Sequence, residues 1–127
     1  RLGIPIGPVE ERVPILLHGP LAAEALHKEF GIKDPLVLEA VRWHSTGASG
    51  LGPLGRVVFL ADKLDPNKVE GLAHLKRVAE LAQEGLERAA LEYLSAEITW
   101  LVGKGDLVHP ASVEARNDLM LRLGNTA

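Results

Sequence analysis

An all-α fold, an irregular helical bundle, is what this sequence predicts, and two observations predict it. Apolar residues recur at helical spacing in one segment after another, and Pro, Gly and Asp stand at the joints where helices start and stop. A length of 127 residues suits a single domain with one core, covering residues 1–127. With 46% hydrophobic and 24% charged residues the chain has an ordinary globular composition.

The opening stretch to about Val9 holds two prolines and two glycines and reads as a loop. A short helix is expected from Glu10 to Leu17. After the break at His18-Gly19-Pro20 a second helix is expected to run to Phe30, with Leu21, Ala22, Ala25 and Leu26 at helical spacing and Gly31 as its left-handed stop. Asp34-Pro35 repeats the start signal for a helix that carries Leu36, Leu38, Val41 and Trp43 and has His44 near its end. The small, glycine-rich run Ser45 to Gly52 is a loop suited to close approach.

From Pro53 an apolar segment leads to Asp62. A buried strand over Val57 to Leu60 is the rival reading, and helical neighbours favour helix. Between Val69 and Val102 two helices are expected to meet near Gln83 to Gly85. Gly103-Lys104-Gly105 ends the second, and Pro110-Ala111-Ser112 opens a last helix to about Leu123.

The formal net charge of -3, with no basic run, lacks the electrostatic footprint of a nucleic-acid binder. The chain contains no cysteine, so a metal would be held by His, Asp, Glu or water. No apolar run is long enough to span a membrane and the first residues do not read as a signal peptide; the expectation is a cytoplasmic protein. A single Met, abundant Ala, Leu, Glu and Arg and many prolines hint at a heat-adapted source.

Three ionisable residues lie beside apolar helical runs and next to breaks: His18, His44 and Asp62. Two imidazoles and a carboxylate suit iron, manganese or zinc and leave coordination positions for water or phosphate oxygen. The plainer reading is that the histidines cap helix ends and Asp62 opens a turn. His27 and His74 read as solvated, and His109 as a cap for the final helix. Arg42 and Lys63 read either as ion-paired surface residues or as a steering field for an anion. Trp43 and Trp100 read as core anchors.

Leu17-His18-Gly19-Pro20, then Ala40-Val41-Arg42-Trp43-His44-Ser45-Thr46-Gly47, then Val58-Phe59-Leu60-Ala61-Asp62-Lys63-Leu64-Asp65-Pro66 follow one another in an order and spacing that resemble the YqeK family of HD-domain hydrolases. Val108-His109-Pro110 and a helix with Asn117 extend the likeness over almost the whole chain. The resemblance implies an HD-type helical bundle that holds metal, commonly iron, and a hydrolase that splits diadenosine tetraphosphate symmetrically into two ADP. It makes His18, His44 and Asp62 metal ligands, and it puts Ser45, Thr46, Gly47 and Lys68 where nucleotide phosphate is bound.

Two departures qualify it. The family's early His and adjacent His-Asp pair would lie upstream of Arg1, so the expectation is an N-terminally incomplete HD domain, weak or inactive alone. The apolar surface left by such helices would favour a homo-oligomer. Lys68 stands where the family usually has Arg, keeping the charge without the planar fork. The alternative is a noncatalytic helical module that binds a nucleotide or a partner; a different nucleotide substrate on the same fold is a third reading.

Overall fold

A computed structural model describes residues 4–65 and 73–123. Among them the helices are α1 (Pro8–Arg12), α2 (His18–Phe30), α3 (Pro35–Arg42), α4 (Pro53–Lys63), α5 (Ala73–Ala82), α6 (Leu86–Gly103) and α7 (Pro110–Leu123), with a 3-10 turn at Pro14–Leu17. No strand occurs among the described residues, so Val57 to Leu60 are helical. Among these residues no helix is long and apolar enough to cross a membrane.

The expected helix from Glu10 to Leu17 is in fact two pieces. Pro14 cannot donate to the carbonyl four residues earlier, and it keeps Val13 out of the helical region (φ −131°, ψ 75°). The helical part also begins earlier than expected, at Pro8. Gly7 caps it, and the Glu10 carboxylate reaches back to accept the Gly7 N–H at 3.0 Å. The other boundaries follow local chemistry. Asp34 accepts the Leu36 amide at 2.9 Å, and Gly31 closes α2 with a positive φ of 71°.

Successive helices pack on one another: α2 on α3, α3 on α4, α4 on α6, with α5 and α7 also against α6. The three-residue link between α5 and α6 makes them an αα-hairpin. Phe59 and Leu60 of α4 meet Leu75, Val78 and Leu81 of α5, Tyr93 and Leu94 of α6, and Ala115 and Leu119 of α7 in one core. Phe59 and Tyr93 are edge to face, with ring centroids 5.6 Å apart. Burying a side chain such as Phe59 or Val78 contributes about 1.5–3 kcal/mol. That core fixes the position of α4, whose last turn carries Asp62.

Trp43 is packed against this core as expected. Trp100 is not a core anchor. It is 57% exposed, and the Lys104 ammonium, one turn further along, lies 3.8 Å from its ring centroid. A helical position is buried only where another element covers it, and near the end of α6 the Trp100 ring instead gains a cation–π partner.

Candidate functional site

His18 is the first residue of α2, and His44 sits two residues beyond α3 in the turn that follows it. Pro20 is tolerated in this first turn because its missing N–H would have no intrahelical acceptor. The two imidazoles meet edge to face with centroids 5.6 Å apart and planes inclined by 76°. Gly19 permits this meeting. A Cβ there would overlap the carbonyl oxygen of Arg42 and stand 3.0 Å from that of Val41, so only glycine lets the start of α2 approach the end of α3.

The ring of His44 is oriented from behind. Its Nδ1 faces the Val41 carbonyl oxygen at 2.6 Å, and a carbonyl only accepts, so the hydrogen sits on Nδ1 and the lone pair on Nε2. An imidazole held in this way presents Nε2 as a ligand, the arrangement commonly found around bound metals. His18 is exposed and His44 half-buried.

Asp62 occupies the last turn of α4 and is paired with Lys63, its Oδ2 accepting from Nζ at 3.0 Å. The same ammonium donates to the carbonyl oxygens of His44 and Ser45 at 3.1 Å each. One side chain therefore bridges the carboxylate and the histidine turn. Among the described residues no group of three or more His, Cys, Asp or Glu side chains is clustered closely enough to hold a metal ion. Two imidazoles and a carboxylate are donors of a kind that a divalent transition metal accepts, but they do not form a complete shell by themselves.

The turn Ser45 to Gly47 has a built interior. Thr46 is buried and its hydroxyl donates to the Gly47 carbonyl oxygen at 2.9 Å, so the side chain expected at phosphate is directed inward. Ser112 of α7 donates to the Thr46 carbonyl oxygen at 2.7 Å. Gly47 has φ 76°, and a Cβ on it would stand 3.3 Å from Ala115 Cβ and 3.4 Å from the Phe59 ring. Lys68 lies outside the described residues.

A cavity of about 1040 Å³ opens beside Asp62 and Lys63, with His74, Glu92, Tyr93 and Trp100 among its walls. His74 is thus half-buried on a groove and not a freely solvated side chain. Burial pushes the Tyr93 phenol well above its ordinary value, and the nearby carboxylates of Glu97 and Asp62 push the same way, so its hydroxyl stays neutral. Arg42 is engaged with Glu24 at 2.6 Å, the ion-pair reading, and His27 is exposed. His109 does cap α7, its Nδ1 accepting the Ala111 amide at 3.0 Å. Its Nε2 meets Glu10 at 2.5 Å, a pairing across the fold that no local sequence signal announces.

Known proteins share both this sequence and this arrangement of helices. No family model matches the chain. Over 106 residues it is 34% identical to the symmetrical bis(5'-nucleosyl)-tetraphosphatase of Halalkalibacterium halodurans, covering 84% of this chain and 56% of that protein. The Bacillus subtilis protein of the same name is 30% identical over 97 residues, covering 76% of this chain and 51% of its own length. A crystal structure of a predicted HD superfamily hydrolase involved in NAD metabolism, from Clostridium acetobutylicum, superposes with a TM-score of 0.86 at 30% identity, covering 94% of this chain and 62% of that one. The chain is a homologue of these HD-type hydrolases. The chain spans about half the length of these curated relatives. Its all-α architecture is that of the HD-type neighbour.

Proposed function

We propose that this chain contributes His18, His44 and Asp62 to the centre of an HD-type phosphohydrolase of nucleoside polyphosphates, and that the reaction is symmetrical cleavage of diadenosine tetraphosphate to ADP. The observation that carries the proposal is the meeting of the two imidazoles, with His44 Nδ1 occupied by a backbone carbonyl and Nε2 left as a ligand nitrogen. The names and similarity of the relatives support the substrate class.

The implied cofactor is a divalent transition metal, iron first, with manganese and zinc as alternatives; when bound, such an ion acidifies water and neutralises phosphoryl charge. His44 is preoriented by Val41, and Asp62 is held near the histidine turn by Lys63. Within the turn Ser45 offers a hydroxyl and Thr46 only its backbone to phosphate, because its hydroxyl is committed to Gly47. Lys68 is assigned to phosphate on the family likeness alone.

Because the described residues contain no three-donor cluster, the isolated chain should bind metal weakly and turn over slowly. The test is hydrolysis of diadenosine tetraphosphate with added ferrous or manganous ion, with products separated by chromatography. Slow formation of ADP alone supports the proposal; ATP with AMP as products refutes symmetrical cleavage. Rapid turnover by this chain would refute the incomplete centre. Protein that binds nucleotide yet stays metal-free and inactive under all conditions would mark a noncatalytic module.

A further inference from the structure

Three consecutive carbonyl groups in the turn after α3 are each held by a side chain from another helix. Lys63 takes those of His44 and Ser45 at 3.1 Å each, and Ser112 takes that of Thr46 at 2.7 Å. The Lys63 ammonium also meets Asp62 Oδ2 at 3.0 Å. An ammonium carries three hydrogens, enough to serve all three of these oxygens. The side chain is only 11% exposed, and the nitrogen lies 4.9 Å from the Phe59 ring centroid. A long, strongly hydrated cation is not held in such a place without specific acceptors.

We propose that Lys63 is a positioning residue for the site proposed above, an internal strut that sets the separation of His44 and Asp62 and does not grip the substrate. Its bonds join the last turn of α4 to the histidine turn through a single atom, so the two elements move together. They also fix the direction of two peptide units. In a trans peptide the C=O and N–H point opposite ways, so holding the oxygens of His44 and Ser45 directs the amides of Ser45 and Thr46 away from Lys63. The same ammonium also pairs with the Asp62 carboxylate, so one cation serves both the end of α4 and the histidine turn.

This inference rests on the metal-ligand reading of His18, His44 and Asp62, and its test separates the two. Two-dimensional nitrogen–proton spectra of the amides and of the imidazoles are recorded without metal for the wild-type chain and for Lys63→Met, Lys63→Gln and Lys63→Arg. Cobalt(II) is then titrated while its visible absorption is followed. Lys63→Met should displace the signals of residues 44–47 and of the His44 ring while the helical circular dichroism persists. Its cobalt affinity should fall by about tenfold or more, the usual cost of removing a group that orients a ligand. Lys63→Arg, whose fork reaches adjacent carbonyls, should recover most of both. If Lys63→Met does not fold, Lys63→Gln provides the same comparison. Unchanged signals for residues 44–47 in a folded variant overturn the strut, whatever cobalt does. A wild-type chain that takes up no cobalt refutes the ligand reading and leaves the spectra to decide the strut.

Discussion

Gly19 faces the carbonyl oxygen of Arg42 so closely that a single added carbon would overlap it. This contact sets the distance between the first residue of α2 and the turn beyond α3, and hence between His18 and His44. Gly19→Ala should force the helices apart, at about 1–3 kcal/mol for an overpacked contact against backbone. Thermal unfolding checks the loss of stability. Loss of the through-space coupling between the two imidazole signals checks the separation, and a variant that kept that coupling would overturn this account.

Gly47 is constrained twice, by a left-handed backbone and by the neighbouring Ala115 and Phe59. Replacing it with Ala adds about 1–2 kcal/mol of backbone strain and further crowding. Urea denaturation should show a lower midpoint with an unchanged slope. An unaffected midpoint would mean that the turn re-forms in another conformation.

The pairing of Glu10 with His109 makes stability depend on pH. The hydrogen bond to His109 is the main reason the Glu10 carboxyl is held below its ordinary 4.5, and burial opposes it. A depressed carboxylate pKa stabilises the fold above the unfolded value, and the contribution is lost as pH falls through the folded one. Glu10→Gln should therefore cost about 1 kcal/mol near pH 7. The difference from wild type should shrink below pH 4.5, the ordinary value for this group, and a gap that widened on acidification would contradict the assignment.

His18→Ala and His44→Ala should each weaken cobalt or zinc binding, and the double variant should be little worse than either single one. Ligands of one ion act as a unit, whereas independent surface sites would give additive losses. Isothermal calorimetry on the four proteins distinguishes the two patterns.

Exposed apolar side chains, including Ile15 at 73%, Trp100 at 57% and Val102 at 65%, predict concentration-dependent self-association. Sedimentation velocity over a wide concentration range measures it. A strictly monomeric species throughout would show that these residues are tolerated singly.

Helix identity and most boundaries were legible in the sequence because they are local. Asp34 caps α3 and Gly31 ends α2 through atoms within a few residues of each. The stretch before His18 is two pieces because Pro14 lacks the donor that a continuous helix needs. The exposure of Trp100 depends on what lies over α6, which periodicity does not record.

By itself, then, the sequence determined an all-helical chain with an imidazole at each of two helix breaks and a carboxylate at a third. Tertiary structure decided that the imidazoles touch, because a backbone contact at Gly19 sets the α2–α3 spacing. It also turned the Thr46 hydroxyl inward, tied Glu10 to His109, and joined Asp62 to the histidine turn through Lys63. Such relationships depend on distances between groups remote along the chain, and these exist only once the core around Phe59 has fixed the helices in place.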